Sequence, residues 1–379
     1  MAFATFAAAQ AGVGANYYVS TSGSNSNPCS QSSPCATPDY VVNNKAVAGD
    51  TVQVAAGTYA YGSEVNFTKS GTAGNYITLT CATRGACKIQ NSVTGNSTVV
   101  WIRGSYIVFD GFEVTNTSSA GNNLGFYVTG NSVSITHNTV HHIEADCTSN
   151  GGAGIDIATT SGSGFVIDSN LVYDIGFANG SCSGKNTVHG IDFEPGGGGG
   201  GSGAGTITNN IVYHVLGGWG IQFQGFTTGT TGSVIANNLL FSNGNGGIVF
   251  NESGGTLDYN TVVNNTILDN GTNQSKCGIF EFVVSGTHNV YANNDAYGNG
   301  GGDYCFSTGS QSAGISVDPA SGTTFANWKA DGSGDYHQKA GSPTINNGSS
   351  SKGAPPKDMD GNPRPQGAAY DIGAYESPY

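Results

Sequence analysis

The chain has 379 residues and a formal net charge of -13, with Lys+Arg 12 against Asp+Glu 25 and only 10% charged residues in all. This balance argues against nucleic acid and anionic membranes as partners, because no basic patch exists to neutralise phosphate. Glycine contributes 61 residues, a share that suits tight hydrogen-bonded turns, and no apolar run is long enough to span a bilayer.

In chain order, residues 1–15 read as a signal-like or disordered leader, small and apolar and ending in Ala-Gln-Ala at 9–11, like the tail of a secretory signal. Residues 16–379 read as one domain, because the repeat described next runs without a linker. Within it, 16–60 is expected to form an N-terminal cap and first coil, 61–306 the coils, and 307–379 a C-terminal cap.

Six times a glycine opens a short run of alternating apolar residues: Gly-Phe-Tyr-Val (125–128), Gly-Ile-Asp-Ile (154–157), Gly-Ile-Asp-Phe (190–193), Gly-Ile-Gln-Phe (220–223), Gly-Ile-Val-Phe (247–250) and Gly-Ile-Phe-Glu-Phe (278–282). A second run led by an asparagine follows each, at Asn138, Asn170, Asn210, Asn238, Asn265 and Asn294. The period of two marks strands, and no helical spacing accompanies it. Units of this kind cannot bury an apolar face alone and must stack on copies of themselves. The expected fold is therefore all-β: a single-domain right-handed parallel β-helix, or solenoid, with an Asn ladder and short N- and C-terminal caps. The handedness follows from the general preference of parallel crossovers.

The eight cysteines point to disulfides and an oxidising, extracytoplasmic compartment. Cys29 with Cys35 and Cys81 with Cys87 close short loops. Cys147 and Cys182 fall in the same turn of adjacent coils, seven residues before Gly154 and eight before Gly190, and are placed to bridge. Cys277 and Cys305 complete the set.

Stacking the glycines aligns a surface. Two residues after each glycine, the outward column reads Tyr127, Asp156, Asp192, Gln222, Val249, Phe280, and two further on Thr129, Ala158, Glu194, Gln224, Asn251, Phe282. Asp156, Asp192, Glu194, Gln222 and Gln224 thus gather on adjacent strands, about 5 Å apart between coils and about 7 Å along a strand. Carboxylates that close cost free energy unless protonated, bridged by a metal or held for a function. Residues preceding the glycines put His189 and Trp219 at the border of this cluster, and Gly196 to Gly201 follow it as a loop. Aromatic faces, amides and carboxyls together make a glycan groove. Another column, four residues after the ladder asparagines, stacks His142, Asp174 and His214; it suits either a turn or a metal, and no metal is assigned.

The stretch Gly-Asp-Thr-Val at 49–52 and Gly-Thr-Tyr at 57–59 resembles the N-terminal cap and first coil of the pectate-lyase-like superfamily of secreted right-handed β-helix proteins. The segment 358–376 looks like the closing segment of bacterial members. The resemblance implies this fold over most of the chain and an activity among lyases, hydrolases, epimerases and adhesins. The motifs of polygalacturonases, which carry an aspartate trio on this fold, are absent, and His189 to Pro195 is faintly similar to an epimerase site without its inner histidine.

The leading expectation is a secreted glycoside hydrolase acting on a polysaccharide, with Asp156, Asp192, Glu194 and His189 as catalytic candidates and Asp192 as one partner of the acid–base pair. Trp219, Gln222, Gln224, Tyr127 and Lys185 are the substrate-binding candidates. This reading requires no cofactor and expects a monomer. The alternative is a Ca²⁺-dependent lyase or epimerase on a uronate polymer, with Lys185 or His189 as base. A third reading is a non-catalytic glycan-binding or adhesion solenoid.

Overall fold

The computed structural model describes residues 14–92, 97–117, 123–143, 152–159, 162–176, 182, 186–195, 203–225, 229–306, 311–312 and 325–379. Among these, three parallel sheets of 11, 9 and 9 strands run the length of the chain, and each successive coil adds one strand to each sheet. The glycine-marked runs all lie in one nine-stranded sheet, called here the site sheet. Its strands are β1 (Val65–Phe67), β2 (Ser97–Ile102), β3 (Asn123–Val128), β4 (Gly152–Ile157), β5 (Val188–Phe193), β6 (Trp219–Gly225), β7 (Gly246–Glu252), β8 (Ile279–Phe282) and β9 (Tyr304–Cys305). The parallel solenoid with its asparagine ladder is as the sequence indicates.

The stacked glycines answer to space. A Cβ on Gly125 would lie 2.4 Å from the carbonyl oxygen of Gly154, one on Gly154 2.7 Å from that of Gly190, and one on Gly190 2.6 Å from that of Gly220. The same atoms would also press on Val140, Val172 and Val212 of the sheet opposite. Any side chain would push the coils apart, which is why the residue recurs.

The asparagines do what their spacing implies. Nδ2 of Asn170 donates to Oδ1 of Asn210 at 3.0 Å and to the carbonyl of Ile135 at 2.8 Å, and Asn210 repeats this with Asn238 and Ile167 at 3.0 and 2.9 Å. Buried turn amides are thereby satisfied from coil to coil. The residue before each ladder position, from His137 to Asn293, takes a left-handed φ of 52 to 58°. A second ladder, Asn243 to Asn270 to Asn299, runs at the opposite end of the same strands.

Inside, columns such as Ile155, Ile191, Ile221 and Ile248, or Phe193, Phe223 and Phe250, are fully buried. Each such side chain contributes about 1.5–3 kcal/mol. The N-terminal end carries a short helix, Pro38–Asn44, that the sequence reading did not anticipate. It buries Val41 and Val42 against the first strands, and Asn43 ties it to the backbone of Asn66 and Thr68.

The described part of the expected C-terminal cap, 325–379, folds back along the outside of the later coils. Phe325, Tyr336 and Tyr375 pack with Tyr213, Leu239, Phe241 and Leu268. Buried Arg364 pairs with Glu376 at 2.6 Å and reaches Asn237. Disulfides join Cys29 to Cys35, Cys81 to Cys87 and Cys277 to Cys305. Cys182 is also disulfide-bonded; its expected partner Cys147, like leader residues 1–13, lies outside the described residues. Among the described residues no helix is long and apolar enough to cross a membrane.

Candidate functional site

The register of the site sheet sets the surface. Tyr127 pairs with Asp156, Asp156 with Asp192, Asp192 with Gln222, Gln222 with Val249 and Val249 with Phe280. Gln224 pairs with Asn251 and Asn251 with Phe282 in the neighbouring column. Glu194 directly follows β5, and its amide bonds to the carbonyl of Ile157. The structure therefore brings together Asp156, Asp192 and Glu194 as their spacing implies.

These three carboxyls are not equivalent. Asp156 is 8% exposed, and its Oδ1 is buried with no hydrogen-bond partner. Burial, then the charges of Asp192 and Glu194, hold its pKa well above the carboxylate range. Asp192 is raised by burial, against the opposing influence of His189 and a hydrogen bond from Gln222. That bond runs from Nε2 of Gln222 to Oδ1 of Asp192 at 3.2 Å, and the same Nε2 donates to Gln224 at 3.0 Å. Glu194 is half-buried, and burial followed by the charge of Asp192 pushes it up to about 8. The group hydrogen-bonded by an amide N–H is the one best placed to ionise, and its neighbours retain protons.

His189 borders the cluster, buried, with Nδ1 accepting the backbone N–H of Trp219 at 3.3 Å. Burial lowers its pKa, against the influence of Asp192. Both the lowered pKa and the N–H accepted at Nδ1 favour the neutral imidazole. Trp219 donates its indole N–H to Asn186 at 2.9 Å and stacks on Phe280, ring centroids 5.7 Å apart. This contact spans two coils. A Cβ on Gly246 of the intervening strand would meet the indole at 2.2 Å, so the bare glycine makes room for the ring. A cleft of about 190 Å³ opens there, lined by Gln222, Asn245, Asn251, Lys276, Phe280 and Phe282 among others.

On the other side of the acids stands a second aromatic platform that sequence reasoning missed. Trp101 pairs with Tyr127 in register, with ring centroids 5.2 Å apart. The Arg103 guanidinium lies 3.5 Å from the Trp101 ring centre. Burial, then the charges of Asp156 and Glu194, raise the pKa of Tyr127, so its hydroxyl stays protonated beside the cluster. Trp101 escaped notice because Val99 occupies the position of Gly125 in its strand, and the glycine marker is missing. Lys185, the loop 196–201 and any bridge to Cys147 lie outside the described residues.

The candidate column His142, Asp174 and His214 is stacked, with Asp174 3.3 Å from His214 and 4.0 Å from His142. All three take left-handed turn conformations, φ 51 to 54°. Among the described residues no three His, Cys, Asp or Glu side chains stand in a metal-holding arrangement.

Residues 204–356 match the model of a family described as "Disaggregatase related". No curated protein matches the chain. Among solved structures it is similar to pectate lyase Pel9A, with 18% identity and a TM-score of 0.66 over 97% of this chain and 98% of that one. It is similar also to the GH136 lacto-N-biosidase of Eubacterium ramulus (14% identity, TM-score 0.53, 77% of this chain and 58% of that one). A rhamnogalacturonan lyase is a third (17% identity, TM-score 0.50, 83% of this chain and 91% of that one). At these identities the likeness is one of fold: the chain is a pectate-lyase-like parallel β-helix.

Proposed function

We propose that this protein cleaves a polysaccharide by glycoside hydrolysis on the outer face of the site sheet, as a monomer outside the cytoplasm. Asp192 acts as the ionised carboxylate and Glu194 as the proton donor, with Asp156 kept neutral on the adjacent strand. One observation carries this reading: three carboxyls on two adjacent coils share a space that disfavours three charges, and among the described residues only Asp192 has an amide donor, Gln222, assigned to it. Cleaving an acetal needs this division, a protonated carboxyl for the leaving oxygen and an ionised one to activate water or attack carbon. His189, held by Trp219, positions Asp192 from the side.

The names of the similar structures support a carbohydrate as substrate in general terms, and disulfides support an oxidising compartment. Elimination from a uronate would need a base and a cation to neutralise the substrate carboxylate. His189 is buried with Nδ1 engaged and Lys185, the other candidate base, lies outside the described residues; the paired carboxyls of Asp192 and Glu194 favour hydrolysis.

The test is a polysaccharide panel followed in parallel for new reducing ends and for the ultraviolet absorbance of unsaturated ends, with calcium and with chelator. Reducing ends without absorbance, lost in Asp192→Asn, support hydrolysis. Absorbance that disappears on chelation overturns it in favour of the lyase, and binding without any product leaves a glycan-binding solenoid.

A further inference from the structure

We propose that the cleft beside Trp219 is a subsite for one uncharged pyranose unit of the glycan, placed along the solenoid axis from the carboxyl pair. The proposal relies on the glycan-cleaving reading for the polymer, and on its own geometry for the sugar.

The floor is aromatic. Trp219 and Phe280 are stacked with planes 21° apart, and Phe282, 50% exposed, continues the apolar strip with its ring centre 5.9 Å from that of Phe280. Amides from Gln222, Asn245 and Asn251 surround it. Asn245 is 1% exposed, donates to Asn186 at 2.6 Å, and has a buried Oδ1 with no partner. A pyranose offers a C–H face to an aromatic floor and hydroxyls to amides. At about 190 Å³ the cleft takes a sugar ring, not a folded polymer.

The charge pattern selects the class. None of the described lining residues is acidic, and the one cation, Lys276, stands 5.9 Å from the Phe280 ring centre. Recognition of a sugar carboxylate favours a bidentate guanidinium, and no arginine lines the cleft. The wall carrying Lys276 is fixed by the Cys277–Cys305 disulfide and by the bond from Asn273 to the carbonyl of Leu216. Gln222 both lines the cleft and donates to Asp192, so a sugar bound there sets the amide that orients the ionised carboxyl.

The experiment uses the full chain carrying Asp192→Asn, titrated calorimetrically with cellohexaose, xylohexaose, mannohexaose and an oligogalacturonate. A neutral oligosaccharide is expected to bind, with affinity falling about tenfold on Phe280→Ala and by less on Phe282→Ala, and with little change on Lys276→Met. Phe282→Ala, at an exposed ring, keeps the test valid should Phe280→Ala fail to fold. Preference for the oligogalacturonate, binding unaffected by either aromatic substitution, or no binding of any neutral oligosaccharide overturns the subsite. If the wild type releases unsaturated ends while neutral-sugar binding still depends on Phe280 or Phe282, hydrolysis falls and the subsite stands.

Discussion

Asp156 and Asp192 are register partners on adjacent parallel strands, yet Gln222 serves Asp192 while one oxygen of Asp156 is buried with no partner. A native state that retains such an arrangement forgoes stability at that position, since an unsatisfied buried polar group costs about 1–3 kcal/mol.

Asp156→Asn is therefore expected to raise the melting temperature by about 1–3 °C as a neutral amide replaces the buried acid, while kcat/KM falls by less than in Asp192→Asn or Glu194→Gln, where the proton-transfer roles lie. Calorimetry beside the reducing-end assay reads both. A variant that is less stable and fully active would remove Asp156 from the site.

Glu194, pushed up to about 8, gives a pH prediction in two parts. As a proton donor it should make kcat/KM fall as pH rises through about 8, a limb that vanishes in Glu194→Gln along with most of the activity. Because its folded pKa is above the unfolded value, its contribution to stability is full below about 4.3 and is lost as pH rises through about 8. The melting temperature of the wild type should consequently fall more steeply over that window than that of Glu194→Gln; parallel slopes would contradict the raised value.

The ladder predicts a penalty for Asn210→Ala. Nδ2 of Asn210 donates to Ile167 and Asn238, and its Oδ1 accepts from the backbone and side chain of Asn170. Removal leaves buried partners on two coils unsatisfied, at about 2–4 kcal/mol. Urea unfolding should show a lower midpoint at unchanged slope. A neutral result would mean that backbone pairing alone holds the coils in place.

His337 bridges Asp335 and Asp360, at 2.6 Å to each, on the segment that folds back over the coils. Burial lowers its pKa, but hydrogen bonds to Asp360 and Asp335 outweigh it and the net shift is upward. Its stabilisation is full below the ordinary histidine value of about 6.5 and is lost as pH rises through the raised folded value. The stability difference between wild type and His337→Asn should shrink across that range. A difference that grows with pH would exclude a charged latch.

What could be read in the residues is what a solenoid makes one-dimensional. Parallel strands in register set each residue beside its counterpart one repeat on, so glycine spacing alone placed Asp156 beside Asp192, Asp192 beside Gln222, and Glu194 one outward step along. The asparagine ladder was legible for the same reason. Where the marker was absent, as at Val99, the column broke and Trp101 with Arg103 was lost.

Tertiary structure decided what depends on burial and on elements outside the period. No alignment of coils says that Asp156 lacks a partner, that His189 is engaged by Trp219, or that the indole crosses bare Gly246 to reach Phe280. Lys276 and Asn186 enter the cleft from turns whose path no repeat dictates, and the C-terminal segment lies along the coils because buried contacts such as Arg364 with Glu376 and Asn237 hold it there. The sequence alone determined the fold and the acids' shared face, through local periodicity. Which acid ionises, and what surrounds it, depends on desolvation and on contacts between residues far apart in the chain, which only the folded molecule brings together.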